Sequence, residues 1–132
     1  IIKPEANMKQ VFDLKGNTKP YTWPSAQYDH DEGYAISAGY VYTANEIPAL
    51  KGKYIFGDIV NGKILFLENK DLNLGQIANI QEFNLEIDGK IDNFRNICKN
   101  NKTDLRFGQG ANGEIYVYTK TDGRTYKIVG CE

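Results

Sequence analysis

The feature that most constrains the fold is a pair of related segments, each of which starts and turns at glycine. The first is GKYIFGDIVNGKILFL, from Gly52, and the second is GEIYVYTKTDGRTYKI, from Gly113. When the two are laid over each other, Gly52 matches Gly113 and Gly62 matches Gly123 at the same offset. In each copy an Asn-Gly or Asp-Gly dipeptide separates two runs rich in Tyr, Ile, Val and Phe, a pattern that favours a tight type I′ turn. Each copy is therefore predicted to be a β-hairpin.

Further strands are predicted around the hairpins. Residues 34–43 and 104–107 precede the first and the second hairpin, residues 80–87 lie between them, and residues 10–14 form an earlier strand pattern. No segment shows a sustained helical period. The order strand, hairpin, outer strand forms a unit of about 60 residues that repeats almost twice, which is the size class of propeller blades. The predicted fold is all-β, a fragment of a β-propeller with about two four-stranded antiparallel blades.

The first hairpin carries apolar residues on both faces, whereas a sheet with one wet face alternates apolar and polar residues. Both faces must therefore be covered, as they are when blades stack in a propeller. Two blades alone leave two large apolar faces bare, which usually marks an interaction surface. We assign residues 1–24 to the end of a preceding blade and a connector, residues 25–90 to one blade, and residues 91–132 to a final, shorter blade. The expected partners are the remaining blades of the same protein or, for this chain alone, further copies of itself.

Charge and composition exclude several classes of partner. Lys+Arg 16 nearly balances Asp+Glu 17, and the cations are scattered, so no nucleic acid or anionic membrane partner is predicted. No apolar run approaches the length of a membrane span, and the first residues lack the regions of a signal peptide. The two cysteines, Cys98 and Cys131, are either separate buried thiols or a disulfide in an exported protein.

His30 is the chain's only histidine, and three acids lie within two positions of it: Asp29, Asp31 and Glu32. It could act as a base, a ligand or a hydrogen-bonding anchor. Catalysis needs a second, converging partner, and the sequence shows none. The favoured interpretation is that the imidazole hydrogen-bonds backbone at the start of an innermost strand. The acids lack the spacing of a calcium-binding loop, so a solvated acidic loop is predicted and no metal site is assigned.

Three other side chains are candidates for the channel of a propeller. Asp58 is expensive to bury unpaired, so it should either hydrogen-bond backbone or face the channel. Arg106 could grip a carboxylate or a sugar hydroxyl there, and the alternative is an ion pair with Asp104 or with an acid of a neighbouring blade. Trp23 is a candidate for stacking on a sugar, while most of the other aromatic residues are expected to pack between blades.

The run PSAQYDHDEGYAISAGYVYTANEIPALKGKYIFGDIVNGKILFL, followed by DLRFGQGANGEIYVYTKTDGRTYKIVG, resembles the C-terminal blades of the glucose/sorbosone dehydrogenase family. The motifs that carry the resemblance are Tyr-x-His, Gly-Tyr-Val-Tyr, Ile-Pro-Ala-Leu-x-Gly, Tyr-Ile-Phe-Gly-Asp and Asp-Leu-Arg-Phe-Gly, in this order, over residues 24–130. The resemblance implies a six-bladed propeller in the periplasm or outside the cell, whose active members oxidise aldoses with pyrroloquinoline quinone (PQQ) and calcium. It places the catalytic histidine in an earlier blade, so no catalytic residue is assigned here.

The resemblance also implies cationic residues around the quinone, because a tricarboxylate cofactor needs fixed cationic donors. Val60 stands where the family has a lysine, and Asn101 and Thr103 stand where it has two arginines. Lys102 and Arg106 are the remaining cofactor-binding candidates, whereas His30, Asp58 and Trp23 are assigned to the channel.

Two functions are therefore expected of the complete protein. The first is hydride transfer from an aldose to a quinone, with this chain forming part of the channel wall. The alternative is a non-catalytic propeller that binds a carbohydrate or a protein partner, because the usual quinone-binding cations are missing.

Overall fold

The computed structural model describes residues 24–131, and within them the chain is built almost wholly from β-strands in three antiparallel sheets. The strands are β1 (Ile36–Val41), β2 (Lys53–Asp58), β3 (Ile64–Glu68), β4 (Gln81–Glu82), β5 (Glu86–Ile87), β6 (Lys90–Ile91), β7 (Leu105–Gln109), β8 (Ile115–Thr119) and β9 (Arg124–Lys127). One short helix, α1 (Phe94–Cys98), precedes β7, and two single 3-10 turns span Pro48–Leu50 and Asn69–Asp71. The all-β class predicted from the sequence is confirmed. The predicted strand at residues 10–14 and the candidate Trp23 lie outside the described residues.

The chain runs back and forth within each sheet. The first sheet has the order β1-β2-β3-β4, and the last sheet has the order β7-β8-β9, with the small β5–β6 hairpin between them. The two glycine-bracketed segments form the β2–β3 and β8–β9 hairpins, as predicted. Residues 80–87, predicted as one strand, instead divide into β4 and β5. Asp88 and Gly89, which follow β5, both have positive φ and turn the chain directly into β6, so β5 pairs with β6 and does not continue the first sheet.

The turns of the two main hairpins differ from the predicted type I′ geometry. Only their glycines, Gly62 (φ 72°) and Gly123 (φ 70°), have positive φ, whereas a type I′ turn needs two such residues in succession. In the first turn the Gly62 N–H donates to the Asp58 carbonyl, and in the second the Gly123 N–H donates to the Thr119 carbonyl. The same wider turn therefore recurs at matching positions, and polar side chains stabilise it. The repeat in the sequence is a repeat in backbone geometry.

The first and last sheets pack face to face around the main core. The core side chains are Ile55, Ile64, Leu105, Phe107, Ile115 and Val117 from the two sheets, with Tyr42, Leu50 and Phe94 from the connections. Strands β1 and β7 lie side by side at this junction. The β2–β3 turn closely approaches the segments that precede the last sheet at Gly62, where an added Cβ would lie 2.8 Å from both Phe94 Cβ and Thr103 Cγ2. A side chain at that position would push the turn away from Phe94 and Thr103.

Each of these sheets also has an outer face, away from the other sheet. On the outer face of the first sheet, Phe56, Leu65 and Leu67 are buried in a second apolar cluster with Ala78. Both faces of the first hairpin are thus covered, as its sequence pattern predicted. The outer face of the last sheet carries Arg106, Gly108, Tyr116, Tyr118, Thr125 and Lys127, which are half-buried or exposed. The last sheet therefore has one covered face.

No helix among residues 24–131 has the length and apolar character that crossing a membrane requires.

Candidate functional site

Asp58 is the most completely buried acid of the described chain, and both of its carboxylate oxygens are occupied. Oδ1 accepts hydrogen bonds from the backbone N–H groups of Val60 and Asn61, each at 2.8 Å. Oδ2 accepts from the Tyr34 backbone N–H at 2.7 Å, and from the Tyr28 hydroxyl and the Asn61 side-chain amide at 3.2 Å each. This is the first of the two alternatives that the sequence left open: the carboxylate hydrogen-bonds backbone. It ties the segment before β1 to the turn between β2 and β3.

The hydrogen bonds also determine the charge of Asp58. Burial by itself would raise the pKa of the carboxyl group, but the backbone donors and the Tyr28 hydroxyl outweigh burial and hold the pKa of Asp58 below its ordinary value. Burial and the negative charge of Asp58 raise the pKa of the Tyr28 phenol well above its ordinary value. Asp58 is therefore an ionised acceptor and Tyr28 a neutral donor across the neutral pH range.

His30 lies on an exposed turn ahead of β1. The turn is held by Asp29, whose carbonyl accepts from the Gly33 N–H at 3.0 Å and whose carboxylate accepts from the Asp31 N–H at 2.8 Å. Among residues 24–131 no hydrogen bond joins the His30 imidazole to the backbone, so the anchoring role favoured from the sequence is filled by Asp29 instead. Asp29 does this because its carboxylate reaches the N–H two residues on, as aspartate does in turns.

Arg106 is paired within its own sheet. Its guanidinium donates to the Asp104 carboxylate at 2.7 Å and to the Leu105 carbonyl at 2.7 Å. Lys120 approaches the same carboxylate at 3.5 Å. Burial would raise the pKa of Asp104, but the charges of Arg106, Lys120 and Lys102 hold it below its ordinary value. The ion pair with Asp104 that the sequence offered as an alternative role for Arg106 is present in the structure.

Lys102 is exposed on the loop that leads into β7. Its backbone is fixed, because its N–H donates to Asn100 Oδ1 at 3.0 Å and its carbonyl accepts from the Thr121 hydroxyl at 2.8 Å. Its side chain is exposed, and its charge helps to lower the pKa of Asp104.

Among residues 24–131, Arg106 does not offer the full set of fixed cationic donors that a quinone tricarboxylate needs. Such a cofactor needs fixed cationic donors, and two of the five N–H groups of Arg106 already donate, one to Asp104 and one to the Leu105 carbonyl. The Asp104 carboxylate would also repel an approaching anion at close range. Of the two predicted cofactor-binding residues, this leaves Lys102, which is exposed, and Val60 supplies no charge. No catalytic step through such a cofactor follows from these side chains.

The loop of Lys102 and the turn of Asp58 lie at the same end of the two sheets. Thr103 is fully buried between them. Its N–H donates a hydrogen bond to the Val60 carbonyl at 3.1 Å, and its hydroxyl donates to the Ile59 carbonyl at 3.0 Å. The Leu105 N–H donates to the same Ile59 carbonyl at 3.1 Å. Asp58 also holds the segment that carries His30. The segments of four predicted site residues are thus connected at this end, but within residues 24–131 no hydrogen bond or ion pair joins the side chains of His30, Asp58, Lys102 and Arg106 to one another.

Sequence reasoning missed Tyr28 and Thr103. Tyr28 lies 30 residues from the carboxylate that it contacts, so no local pattern announces the contact. Thr103 was considered only as the replacement of a family arginine, whereas its buried hydroxyl joins the two sheets. The Gly57-Asp58 step did give a signal for Asp58, since a carboxylate that ends a buried strand must find donors.

A groove of about 230 Å³ lies on the outer face of the first sheet. Its lining combines apolar side chains with one amide: Ala26, Gln27, Tyr28, Ile36, Tyr54, Phe56, Leu67, Leu72 and Ile80. The amide nitrogen and oxygen of Gln27 are buried and have no hydrogen-bond partner among residues 24–131. A wider, open depression is lined by Asn93, Arg95, Asn96, Lys99, Asn100 and Asn101.

Within residues 24–131, no three His, Cys, Asp or Glu side chains are placed together so that they could hold a metal ion. Cys98 and Cys131 are free thiols, each half-buried. No family model matches the sequence.

Proposed function

We propose that this chain is the C-terminal part of a glucose/sorbosone dehydrogenase-like propeller and forms part of the wall of its channel. The observation that supports the proposal is the stacking of the first and last sheets with β1 and β7 side by side. Propeller blades are antiparallel sheets of this size that pack through their faces around a central channel. Under the proposal residues 25–90 are one blade, residues 91–132 are the final blade, and residues 1–24 complete a preceding one.

For the complete protein the proposal includes the family's reaction, which is hydride transfer from an aldose to PQQ in a calcium-dependent enzyme of the periplasm or the cell exterior. This part rests on resemblance, and fold-level analogy alone does not establish chemistry. Because Arg106 is paired with Asp104, Lys102 is the remaining cofactor-binding candidate among residues 24–131, and the catalytic histidine is assigned to an earlier blade. The contribution of this chain is structural: it forms part of the channel wall, and Asp58 and Thr103 hold the loops at one end of its two sheets.

A second candidate is a non-catalytic propeller that binds a carbohydrate or a protein. The specific observation in its favour is the same Arg106–Asp104 pair, which removes a cation from the cofactor's reach. Exposed Tyr34 and Tyr40, on or beside β1, offer ring surface for such a ligand.

The test is a thermal unfolding titration of the 132-residue chain with PQQ and calcium. A ligand at a hundredfold excess over its Kd stabilises a protein by about 2.7 kcal/mol, which raises the Tm by several degrees. We expect no saturable rise. A rise that Lys102→Ala abolishes and the matched exposed variant Lys99→Ala preserves would place the cofactor site in this chain and overturn the wall assignment.

The two candidates separate in the full-length protein. Reduction of an electron-accepting dye on addition of aldose, PQQ and calcium supports the dehydrogenase. Absence of dye reduction under conditions in which an aldose still shifts the Tm supports the binding propeller.

A further inference from the structure

We propose that the Asn112-Gly113 step, in the turn between β7 and β8, is a site of spontaneous deamidation, and that the fold suppresses the same reaction at Asn61-Gly62. The sequence contains these two Asn-Gly steps. Glycine after asparagine favours the reaction, because the attacking glycine nitrogen has no Cβ beside it to hinder its approach. The inference goes beyond the proposed function, because it needs neither sugar nor quinone.

The reaction needs only water as a co-reactant. The backbone nitrogen of Gly113 loses its proton and attacks Cγ of the Asn112 side-chain amide. The new bond from nitrogen to Cγ forms, the bond from Cγ to Nδ2 breaks, and Nδ2 leaves as ammonia. Water then opens the resulting succinimide at either of its two carbonyls. One opening gives aspartate, and the other gives isoaspartate, in which the main chain runs through Cβ and Cγ.

Asn112 has the freedom that this attack requires. Ala111 and Asn112 are both exposed, and among residues 24–131 the Asn112 side chain makes no hydrogen bond. The attacking N–H of Gly113 donates to the Gly110 carbonyl at 3.0 Å, and the Asn112 N–H donates to the Glu114 carboxylate at 3.1 Å. Both hydrogen bonds lie within the turn itself. The exposed residues of the turn can therefore open locally while β7 and β8 stay paired.

Asn61 precedes a glycine too, but it is half-buried and held at two points. Its side-chain amide donates to Asp58 Oδ2 at 3.2 Å, and its N–H donates to Asp58 Oδ1 at 2.8 Å. Hydrogen bonds to an ionised group are roughly twice as strong as neutral ones. The attacking N–H of Gly62 donates to the Asp58 carbonyl at 2.9 Å, and Gly62 lies close against Phe94 and Thr103. Opening this turn must therefore break a buried contact as well as the bonds to Asp58.

Conversion of Asn112 to isoaspartate acts on a contact between the loops of the two sheets. Gly113 is buried against the segment that follows β1, where an added Cβ would overlap Thr43 Oγ1 and lie 2.8 Å from the Ala44 nitrogen. The Gly113 carbonyl accepts from the Thr43 N–H at 3.3 Å. Isoaspartate inserts one more atom into the main chain directly before Gly113, so the glycine must shift against Thr43. The modification therefore weakens the packing of this turn on the first sheet's loop.

Peptide mapping by mass spectrometry of the 132-residue chain, incubated folded at mildly alkaline pH, measures both steps in one sample. Each event is detected as the mass change of replacing an amide by a carboxyl group. We expect Asn112 to react at least ~10-fold faster than Asn61, a difference of about 1.4 kcal/mol in the cost of opening the turn. The same chain in guanidinium chloride is the control. Without the fold, the shared Asn-Gly sequence should react at nearly equal rates at the two positions.

Two variants separate the causes. Asn112→Gln should abolish the reaction at this step, because the longer side chain would have to close a larger and less favourable ring, and it should leave Asn61 unchanged. Asp58→Asn removes the charged acceptor that holds Asn61. It should therefore raise the rate at Asn61 relative to the rate at Asn112 in the same sample.

The effect on packing is measured on the modified chain itself. Chains with the extra negative charge are separated by ion exchange, and isoaspartate is identified by methylation with an isoaspartate-specific methyltransferase. We expect the isoaspartate chain to unfold several degrees below the unmodified chain. Freshly purified Asn112→Asp, which adds the charge without the additional main-chain atom, is the matched control and should lose less.

Four results would overturn the proposal. In the folded chain these are equal rates at Asn61 and Asn112, or no reaction at Asn112 when it does react in denaturant. An unchanged ratio of the two rates in Asp58→Asn would overturn the protection by that carboxylate. An isoaspartate chain with the same Tm as Asn112→Asp would overturn the effect on packing. None of these results bears on the PQQ titration, so the proposed function stands or falls separately.

Discussion

Replacing Asp58 by asparagine tests whether the buried carboxylate holds the loop before β1 to the β2–β3 turn. Asparagine keeps one carbonyl oxygen, which can still accept from the N–H groups of Val60 and Asn61. At the position of Oδ2 it presents an amide NH₂, which meets the Tyr34 N–H donor at 2.7 Å. Donor then faces donor at the point where the two segments join.

The magnitude follows from the bonds that cannot be remade. The Tyr34 N–H and the Asn61 amide lose their acceptor, while the Tyr28 hydroxyl can rotate to accept. A lost hydrogen bond costs about 1 kcal/mol, and a buried donor left unpaired costs about 1–3 kcal/mol. The expected loss is about 2–4 kcal/mol in the free energy of unfolding, or a Tm lower by roughly 8–16 °C for a domain of this size.

Urea unfolding followed by circular dichroism measures this loss. Asp31→Asn, at an exposed acid of the adjacent loop, is the isosteric control and should change stability by less than ~0.5 kcal/mol. If Asp58→Asn is no more destabilising than this control, the carboxylate does not hold the loop before β1 to the β2–β3 turn.

Three further predictions concern the same end of the molecule. The folded pKa of Asp58 lies below its ordinary value, so the stabilisation by its carboxylate is present above about pH 5 and is lost as the pH falls through that lowered pKa. The difference in free energy of unfolding between wild type and Asp58→Asn, measured in urea, should therefore narrow below about pH 4. A difference that stays constant with pH would contradict this. Gly62→Ala should lower the free energy of unfolding by about 2–3 kcal/mol, because the strain of a positive φ adds to a close contact with Phe94 and Thr103. Gly123→Ala has the same strain but open space around it and should lose only ~1 kcal/mol. Equal losses would refute the close contact at Gly62. Thr103→Val should lower the urea midpoint by the equivalent of about 1–2 kcal/mol, against less than ~0.5 kcal/mol for exposed Thr125→Val, and equal midpoints would rule out the hydroxyl bond to the Ile59 carbonyl.

The hairpins could be predicted because their signals are local. Asn61-Gly62 and Asp122-Gly123 mark turns wherever the chain lies, and both hairpins are present. In the first hairpin the turn type was mispredicted because Asp58, three residues before Asn61, accepts from the N–H groups of Val60 and Asn61, and Asn61 keeps a negative φ. Side-chain hydrogen bonds of this kind compete with the intrinsic preference of the dipeptide.

The site was predicted less well than the fold. Arg106 and Asp104 are close in sequence, so their ion pair was among the predicted alternatives, and the structure contains it. His30 stood out by being the only histidine and by its acidic neighbours, yet the turn around it is held by Asp29. Rarity and local charge identify a residue of interest, but they do not say which atoms it reaches.

The sequence alone determined the strand-rich class, the two matching hairpins and the double-faced burial of the first one, because all three depend on residues within a few positions of one another. The tertiary structure alone decided that Tyr28 binds Asp58, that Thr103 joins the sheets and that Gly62 lies where they meet. These contacts join residues some 30 or more positions apart, and their geometry exists only after β1 and β7 have packed side by side. Local periodicity carries no information about which distant segment supplies the other half of a buried contact.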